Sequence, residues 1–369
     1  MSEDLSDLAA GLEGAERATR LALIDRLLDR GCPPAEIRDA DERGRLVLLP
    51  LELTLRDEGS RTLEEIGAAQ GIDPEALVMT RRALGLPVER GQPLYGRAVE
   101  GQARRLRTAL EAGIPLEALV TINRVVGRAM ATIASALRDT METLLAQTDV
   151  DESARGLRAA EATEALLPDF EQVLVYALGE HVRELVRTEA GTRLARAGEP
   201  DVREVGIAFA DLVDFTGLGD RLAPNELAEV AERLETLAFD ALQPGVSVVK
   251  TIGDEVMLAS PDLPALVASV LDLIGAAEAD SAVPRIRAGA AAGPARHRAG
   301  DWYGRTVNLA SRLTGLAEPG TLLGDPGIVA GTASVAWEPA GERVVRGFGE
   351  PVAVASVSAV DRRTSTAAG

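Results

Sequence analysis

The stretch VGIAFADLVDFTGL, residues 205–218, decides how the second half of the chain folds. Ile207 and Phe209 alternate with small residues, which is the two-residue period of a β-strand. The strand runs into Asp211, and the sequence then breaks at DFTG before a leucine-rich helical segment. A carboxylate at a strand end, followed by the N–H groups of a turn and helix start, can hold a metal and a phosphate. Asp211 or Asp214 could equally cap the following helix, and this stretch alone leaves both interpretations open.

A second stretch, VSVVKTIGDEVMLAS at residues 246–260, reads as a β-hairpin. Two β-rich runs flank Gly253-Asp254, which is a pair of residues typical of a hairpin turn. Lys250 lies within the first run, where a charged residue is unusual because such runs are largely buried. The hairpin is therefore a candidate functional element as well as a structural one.

A third stretch, GDWYGRTVNLASRL at residues 300–313, places Asp301 in a glycine-rich approach to a helix. Asn308 and Arg312 follow four residues apart, so they share one helix face. A solvated helix face would explain them equally well if the stretch stood alone. With the other two stretches, however, the chain supplies carboxylates, a lysine, an amide and a guanidinium, which together suit two-metal phosphoryl chemistry.

Composition limits the partners of the chain. It has 369 residues, with 58 acidic and 39 basic side chains and a formal net charge of −19. Such a surface repels DNA and anionic membranes, so we do not expect nucleic acid as a partner. Cys32 is the single cysteine, which excludes an intrachain disulfide and suits a reducing compartment. The start of the chain has no signal-peptide pattern, and its most apolar run, residues 46–55, is too short to span a bilayer, so we expect a cytoplasmic protein.

The first half of the chain is helical in pattern to about residue 192. Leu21, Ile24 and Leu27 lie on one stripe of a helix that stops at Gly31, and longer amphipathic segments follow. We therefore predict an all-α bundle over residues 1–190.

The rest of the chain divides into three further segments. Gly and Pro break the helical pattern in a linker over residues 191–203, and an α/β domain follows over residues 204–360. A frayed tail ends the chain over residues 361–369.

Residues 62–87 have the helix, glycine turn and second helix of a helix-turn-helix. A second helix that reads DNA carries several basic and amide side chains. Here only Arg81 and Arg82 qualify, at its far end, beside apolar residues. The pattern favours a structural helix hairpin.

The second half resembles the class III nucleotidyl cyclases. The motifs FADLVDFT, VVKTIGDEVM, GDWYGRTVNLASRL and VRGFGEPVAV occur in the order and spacing of that family. The resemblance implies a ferredoxin-like fold, ATP or GTP as substrate, and two divalent cations, Mg²⁺ or Mn²⁺. It implies these roles by position: Asp211 and Asp254 as metal ligands, Lys250 and Asp301 as readers of the purine, Phe215 and Thr216 as substrate contacts, Asn308 at the ribose, and Arg312 at the transition state.

The purine pair can be judged from its own chemistry. Adenine presents an acceptor at N1 and a donor at its exocyclic amine, and guanine presents the reverse. Lysine only donates hydrogen bonds and an ionised carboxylate only accepts them. Lys250 with Asp301 therefore favours ATP, and we predict an adenylate cyclase.

The resemblance also implies active sites between the subunits of a head-to-tail homodimer. Lys250 and Asp254 are neighbours in one hairpin, yet they would serve opposite ends of one nucleotide, which two subunits achieve more easily. Two positions depart from the family pattern. Asp214 stands where Gly is frequent, and Arg346 stands where Lys is common.

The first half resembles, in pattern only, the helical regulatory domain of actinobacterial-type cyclases that respond to acid. We therefore expect residues 1–190 to restrain the enzyme until a proton, small-molecule or lipid signal releases it. His181 and His297 are the candidate proton sensors because histidine titrates in the relevant range.

Two other functions compete with this one. A diguanylate or guanylate-type cyclase shares a Gly-Asp-Glu turn like the one at residues 253–255, but it would prefer GTP. A catalytically retired nucleotide-binding regulator would bind nucleotide without turnover, and the complete residue set argues against it.

Overall fold

This computed structural model describes residues 5–57, 59–146, 152–192 and 202–358. The chain divides into two compact units, Met1–Arg187 and Thr188–Gly369. Most of the predicted linker and the whole predicted tail lie outside the described residues, so the boundaries between the four predicted segments remain predictions.

The first unit is built from helices, as the sequence predicts. Its α-helices are α1 (Gly14–Asp29), α2 (Pro34–Glu42), α3 (Leu49–Leu55), α4 (Leu63–Gln70), α5 (Pro74–Ala83), α6 (Arg97–Glu111), α7 (Leu116–Ala146) and α8 (Glu152–Thr192). Short 3-10 helices form at Ser6–Ala9 and Leu46–Leu48. Across the described part of the chain, none of the helices combines the length and apolarity needed to cross a bilayer.

The predicted helix hairpin is the pair α4 and α5. Thr62 and Glu65 form a capping box that starts α4, each side chain accepting the backbone N–H of the other. Gly71, in the left-handed region with φ 66°, ends α4, and Asp73 caps α5. Leu77 on α5 is fully buried in the core of the unit. The segment is therefore a structural hairpin whose second helix faces inward.

Two apolar clusters hold the first unit together. One joins α1 to α3 through residues such as Leu23, Leu27 and Leu49, and the other joins α4 to α6 around Ile66. The side-chain amide of Asn123 on α7 donates to the backbone carbonyl of Thr80 on α5, with an N···O distance of 3.2 Å. α7 is thereby tied to the second cluster.

The second unit is a sheet covered by helices. Its strands are β1 (Val202–Leu212), β2 (Ser247–Ile252), β3 (Glu255–Ser260), β4 (Ile286–Arg298), β5 (Asp301–Tyr303), β6 (Thr321–Gly324), β7 (Glu338–Arg343) and β8 (Val352–Ser358). Its helices are α9 (Phe215–Gly219), α10 (Pro224–Asp240), α11 (Leu263–Ala279), α12 (Arg305–Thr314) and α13 (Pro326–Gly331).

The core of this unit confirms the predicted ferredoxin-like fold. The chain order β1, α10, β2, β3, α11, β4 gives the spatial order β2-β3-β1-β4, with each neighbouring pair antiparallel. β6 then adds parallel to β4, β8 and β7 extend the sheet, and β5 pairs with β4. Neither β5 nor β7 was predicted from the sequence: β5 has only three residues, and the residues EPAGER of β7 are poor in the β-branched and aromatic residues that strands favour.

Helices cover both faces of this sheet. α10 and α11 pack on one face with Ala208, Ala210 and Leu258. α12 packs on the other face with Phe209 and Met257. Because successive strand residues point to opposite faces, Asp211 shares the α12 face with Phe209. The predicted residues Asn308 and Arg312 belong to α12 itself, whereas Phe215 packs against the cluster on the α10–α11 face.

Candidate active site

The predicted metal ligands lie where β1 meets the β2–β3 turn. Asp211 is the penultimate residue of β1 and pairs in register with Glu255 of β3. The N–H of Leu212 donates to the backbone carbonyl of Asp254, with an N···O distance of 3.1 Å. This bond fastens the turn to the end of β1, so the two predicted ligands are neighbours. Asp211 lies within β1 and therefore does not cap the following helix, which was the alternative that the sequence left open for it.

Arg287 also belongs to this cluster, and the sequence analysis missed it. It lies opposite Asp211 in the β1–β4 register. Its Nε and Nη2 atoms donate to Oδ2 of Asp211 at 2.9 and 2.6 Å. The signal available in the sequence was a charged residue in the alanine- and glycine-rich run RIRAGAAAG, the same kind of signal that singled out Lys250.

Three acidic side chains, Asp211, Asp254 and Glu255, lie together at the end of β1 and the start of β3. Burial raises the pKa of Asp211, and the neighbouring Asp254 adds to this, although Arg287 opposes both. Burial also raises the pKa of Glu255, with Asp211 and Asp254 contributing further. Buried carboxylates that lie close together favour a bound cation, because the cation would offset the negative charge that the nearby basic side chains leave unbalanced.

The donor set fits magnesium or manganese rather than zinc. Among the described residues, no group of three or more His, Cys, Asp or Glu side chains is arranged to hold a metal ion. Mg²⁺ binds through one or two carboxylates and completes its shell with water and substrate phosphates. Asp211 and Asp254 therefore suffice for an ion that arrives with a nucleotide.

The predicted purine readers contact each other. Nζ of Lys250 donates to Oδ2 of Asp301 at 2.6 Å, and the backbone N–H of Trp302 donates to Oδ1 at 2.8 Å. Both side chains are about one-third exposed, at 36% and 26%. Each carboxylate oxygen of Asp301 is thus held by one donor and keeps further acceptor capacity, and Lys250 keeps donors to spare.

A bulge in β2 decides which way Lys250 points. The register with β3 shifts between Val248 and Lys250, so that Lys250 pairs with Met257. A regular strand would have paired Val249 with Met257 and turned Lys250 towards the opposite face. Because paired residues share a face, the bulge places Lys250 on the α12 face with Asp211.

α12 presents the remaining two candidates. Leu309 and Leu313 are buried against the sheet, while Asn308 and Arg312 are exposed. Neither exposed side chain has a hydrogen bond to another described residue. A methyl group at Gly289 of β4 would lie 2.2 Å from the N atom of Thr314, so the glycine lets α12 sit close on the sheet. Asn308 and Arg312 therefore share one face of α12, as predicted, and that face points away from the sheet.

The loop after β1 contains the last predicted substrate contacts. Phe215 and Thr216 form the first turn of α9. Asp214 precedes them with a left-handed backbone, φ 62°, and makes no capping hydrogen bond. Its carboxylate instead faces Arg221 at 3.5 Å. The extra negative charge at this departure from the family pattern is thus partly balanced within the loop.

The two histidines have different surroundings. His181 is exposed on α8. His297 of β4 lies opposite Trp302 of β5, and the ring centroids are 4.7 Å apart with planes tilted by 50°. His297 therefore lies four residues before Asp301 in the chain, opposite the residue that follows it, whereas His181 lies in the other unit.

Adenylate cyclases and their regulatory domains match both units of the chain in sequence. The family described as the adenylate cyclase regulatory domain matches residues 1–186. The pH-sensitive adenylate cyclase MT1302 of Mycobacterium tuberculosis is 36% identical over 359 residues, which cover 94% of this chain and 89% of that protein. An adenylate cyclase of Streptomyces griseus is 36% identical over 230 residues, 60% of this chain and 56% of that protein. Among solved structures, the adenylyl cyclase CyaB from P. aeruginosa aligns over 43% of this chain and 96% of its own, with 22% identity and a TM-score of 0.36.

Proposed function

The chain belongs to the class III adenylate cyclases with an N-terminal regulatory domain, and from this premise we propose how its residues form cyclic AMP. The reaction converts ATP to 3′,5′-cyclic AMP and pyrophosphate. The ribose 3′-oxygen bonds to the α-phosphorus, the bond from that phosphorus to the β-phosphate oxygen breaks, and the 3′-hydroxyl proton leaves. The observation that carries the assignment is the assembled Lys250–Asp301 pair on the sheet face that also holds Asp211.

In the proposed complex, Lys250 and Asp301 bind the adenine edge. A free N–H of Lys250 donates to N1, and Asp301 accepts from the exocyclic amine. Guanine would place its N1–H against the ammonium of Lys250 and leave the carboxylate facing an oxygen, so it binds poorly. A site that hydrogen-bonds one base rejects the other strongly because its own buried polar groups stay unpaired.

At the other end, Asp211 and Asp254 would hold two divalent cations, Mg²⁺ or Mn²⁺. Such ions would lower the charge on the triphosphate and on the attacking and leaving oxygens. Arg287 contacts Asp211 and would add a fixed positive charge beside these groups. Phe215 and Thr216 border the phosphate position at the start of α9.

Asn308 and Arg312 act on the ribose and the α-phosphate. An amide can donate to and accept from the ribose oxygens, which orients the 3′-oxygen for attack. The guanidinium of Arg312 stabilises the charge that develops on the phosphoryl oxygens as the two bonds change. Both residues point outward from α12, which suits a substrate that lies between α12 and another surface.

The experiment that tests this function measures cyclic AMP formation from ATP by the full-length protein with Mg²⁺ or Mn²⁺. We expect turnover that Arg312→Ala reduces by at least about 100-fold, since one donor to a developing charge is worth that much. Arg233→Ala is the matched control, because Arg233 is an arginine of α10 that pairs with Asp280 on the other side of the sheet. Nucleotide binding without turnover in the full-length protein and in a chain lacking residues 1–190 would reject the assignment.

The active site is further proposed to form between two copies of the chain. One copy supplies Asp211 and Asp254, and the other supplies Lys250, Asp301, Asn308 and Arg312. Mixing two inactive variants, Asp211→Asn and Arg312→Ala, tests this. Random pairing makes half of the dimers mixed, each with one intact site of two, so activity should return to about one quarter of wild type. If each active site were instead formed within a single chain, the mixture of the two variants would remain inactive.

The helical unit is proposed to restrain the catalytic unit and to release it in response to protons. The support is the regulatory family match and the printed description of the Mycobacterium tuberculosis relative as pH-sensitive. Removing residues 1–190 should raise activity near neutral pH and flatten its dependence on pH. His181→Gln and His297→Gln then separate the two candidate sensors, because only the sensor's variant flattens the pH profile in the full-length chain. An unchanged activity and pH profile after the deletion would contradict the proposal.

A further inference from the structure

The solvent face of α6 in the regulatory unit carries three arginines. At 3.6 residues per turn, Arg97, Arg104 and Arg105 fall within a sector of about 100°. The opposite side of the helix is buried and includes Val99 and Leu106. All three arginines are exposed. This face is therefore uniformly basic in a chain whose net charge is −19.

The three arginines differ from their neighbours in lacking carboxylate partners. Arg107, on the same helix, lies 3.7 Å from Glu111, and Arg61 donates to Glu100 at 2.8 Å. The guanidiniums of the three-arginine face make no ion pair or hydrogen bond to any other described residue. Acidic residues outnumber basic ones in the chain, so unpaired arginines are not forced by a shortage of carboxylates.

Two of these guanidiniums also converge on one point. A methyl group at Gly101 would lie 3.3 Å from Nη1 of Arg105 and 3.7 Å from Nη2 of Arg104. Both side chains therefore fold over the bare backbone of Gly101, where a side chain would separate them. Like charges brought together without a counterion repel each other, and a bound anion removes that repulsion.

We propose that the three-arginine face of α6 is a binding site for a ligand with at least two phosphate groups. One phosphate bonds to Arg104 and Arg105 together, since guanidinium forks match phosphate oxygens and one phosphate accepts from several donors. Arg97 lies seven residues before Arg104, about 10 Å along the helix, and its long side chain reaches back to a second phosphate. A single carboxylate would satisfy only one of the three.

Two sources supply this chemistry: a free di- or triphosphate, or neighbouring phosphate headgroups at a lipid surface. Isothermal titration of the full-length chain with inorganic tripolyphosphate probes the first source. Flotation with vesicles of phosphatidylglycerol and phosphatidylcholine, against phosphatidylcholine alone, probes the second. The catalytic unit can also bind phosphate, so the titration is read as the number of sites per chain and their affinities.

The test variant is Arg104→Gln with Arg105→Gln, and its matched control is Arg124→Gln with Arg128→Gln. The control removes two exposed arginines of α7, which likewise have no carboxylate partner among the described residues. We expect one site per chain, or the vesicle binding, to weaken at least about tenfold in the test variant and to persist in the control. Equal weakening in both variants would mean unspecific charge attraction and overturn the proposal, as would the absence of binding in both assays beyond the catalytic site.

Discussion

The two ends of the proposed nucleotide site differ in how their charges are balanced. At the purine end, Lys250 and Asp301 neutralise each other at 2.6 Å. At the proposed metal end, Asp211, Asp254 and Glu255 lie close together, and Arg287 donates to Asp211 alone. Burial raises the pKa values of Asp211 and Glu255, although Arg287 lowers both and Lys250 lowers that of Glu255.

This difference indicates what each end needs before it can work. The purine end is organised by the protein itself, so its donors and acceptors meet the base without rearrangement. The metal end holds excess negative charge, which makes it costly until cations arrive with the substrate.

The largest effect should come from Asp211→Asn. Losing a metal ligand should lower kcat/KM for ATP by at least about 1000-fold, since both reacting oxygens depend on the cations. The measurement is cyclic AMP formation across a range of Mn²⁺ concentrations. Asp220→Asn, an exposed carboxylate that follows α9, is the control and should keep wild-type activity. Full activity of Asp211→Asn would place the metal elsewhere.

The second largest effect should come from exchanging the charges of Lys250 and Asp301, the two predicted purine readers. Lys250→Glu combined with Asp301→Lys keeps an ion pair but exchanges donor and acceptor. The ratio of kcat/KM for ATP to that for GTP should fall at least about 100-fold, because the reversed pair matches guanine. Both nucleotides are assayed with the same metal. Loss of activity with an unchanged ATP preference would mean that the pair supports the fold rather than reads the base.

Arg287→Gln should have a moderate effect on stability. The half-buried carboxylate of Asp211 would lose both guanidinium hydrogen bonds, and a charged group left without its partner costs about 1–3 kcal/mol. In EDTA, the Tm should fall by about 3–8 °C. Mn²⁺ should then raise the Tm of Arg287→Gln more than that of the wild type, because the cation replaces the lost positive charge. Equal gains in both proteins would contradict the proposed excess of negative charge.

The smallest effect should be a pH dependence of metal-free stability. The folded-state pKa values of Asp211 and Glu255 are raised, so the stability they contribute is present at low pH and lost as pH rises through those raised values. In EDTA, lowering the pH from neutral towards the ordinary pKa of an aspartate, about 3.9, should therefore raise the Tm of the wild type relative to Asp211→Asn. Saturating Mn²⁺ should abolish the difference, because the cation binds the ionised carboxylate.

Asp325 provides an internal comparison for that experiment. Burial raises its pKa as well, but it accepts the backbone N–H groups of Ile328 and Ala292 and lies away from the other carboxylates. Adding Mn²⁺ should leave the contribution of Asp325 to the pH dependence of the Tm unchanged. A pH dependence that persists in Asp211→Asn with metal present would point to Asp325.

The sequence determined the helical first unit, β1, the β2–β3 hairpin and the order of the motifs, because each of these depends on a local pattern. Alternating residues predicted β1, the Gly253-Asp254 turn predicted the β2–β3 hairpin, and the four-residue spacing predicted the shared face of Asn308 and Arg312. Each of these depends on residues that are close along the chain.

Tertiary structure alone decided which residues of different elements meet. Arg287 reaches Asp211 across 76 positions, through a β1–β4 register that no local pattern encodes. The bulge before Lys250 turned its side chain to the face of Asp211, because one extra residue in a strand reverses the side of every residue after it. An alternation with a period of two predicts that the side chains of a strand point to two opposite faces. Only the assembled sheet, with its register and bulges, decides which of the two faces each side chain occupies.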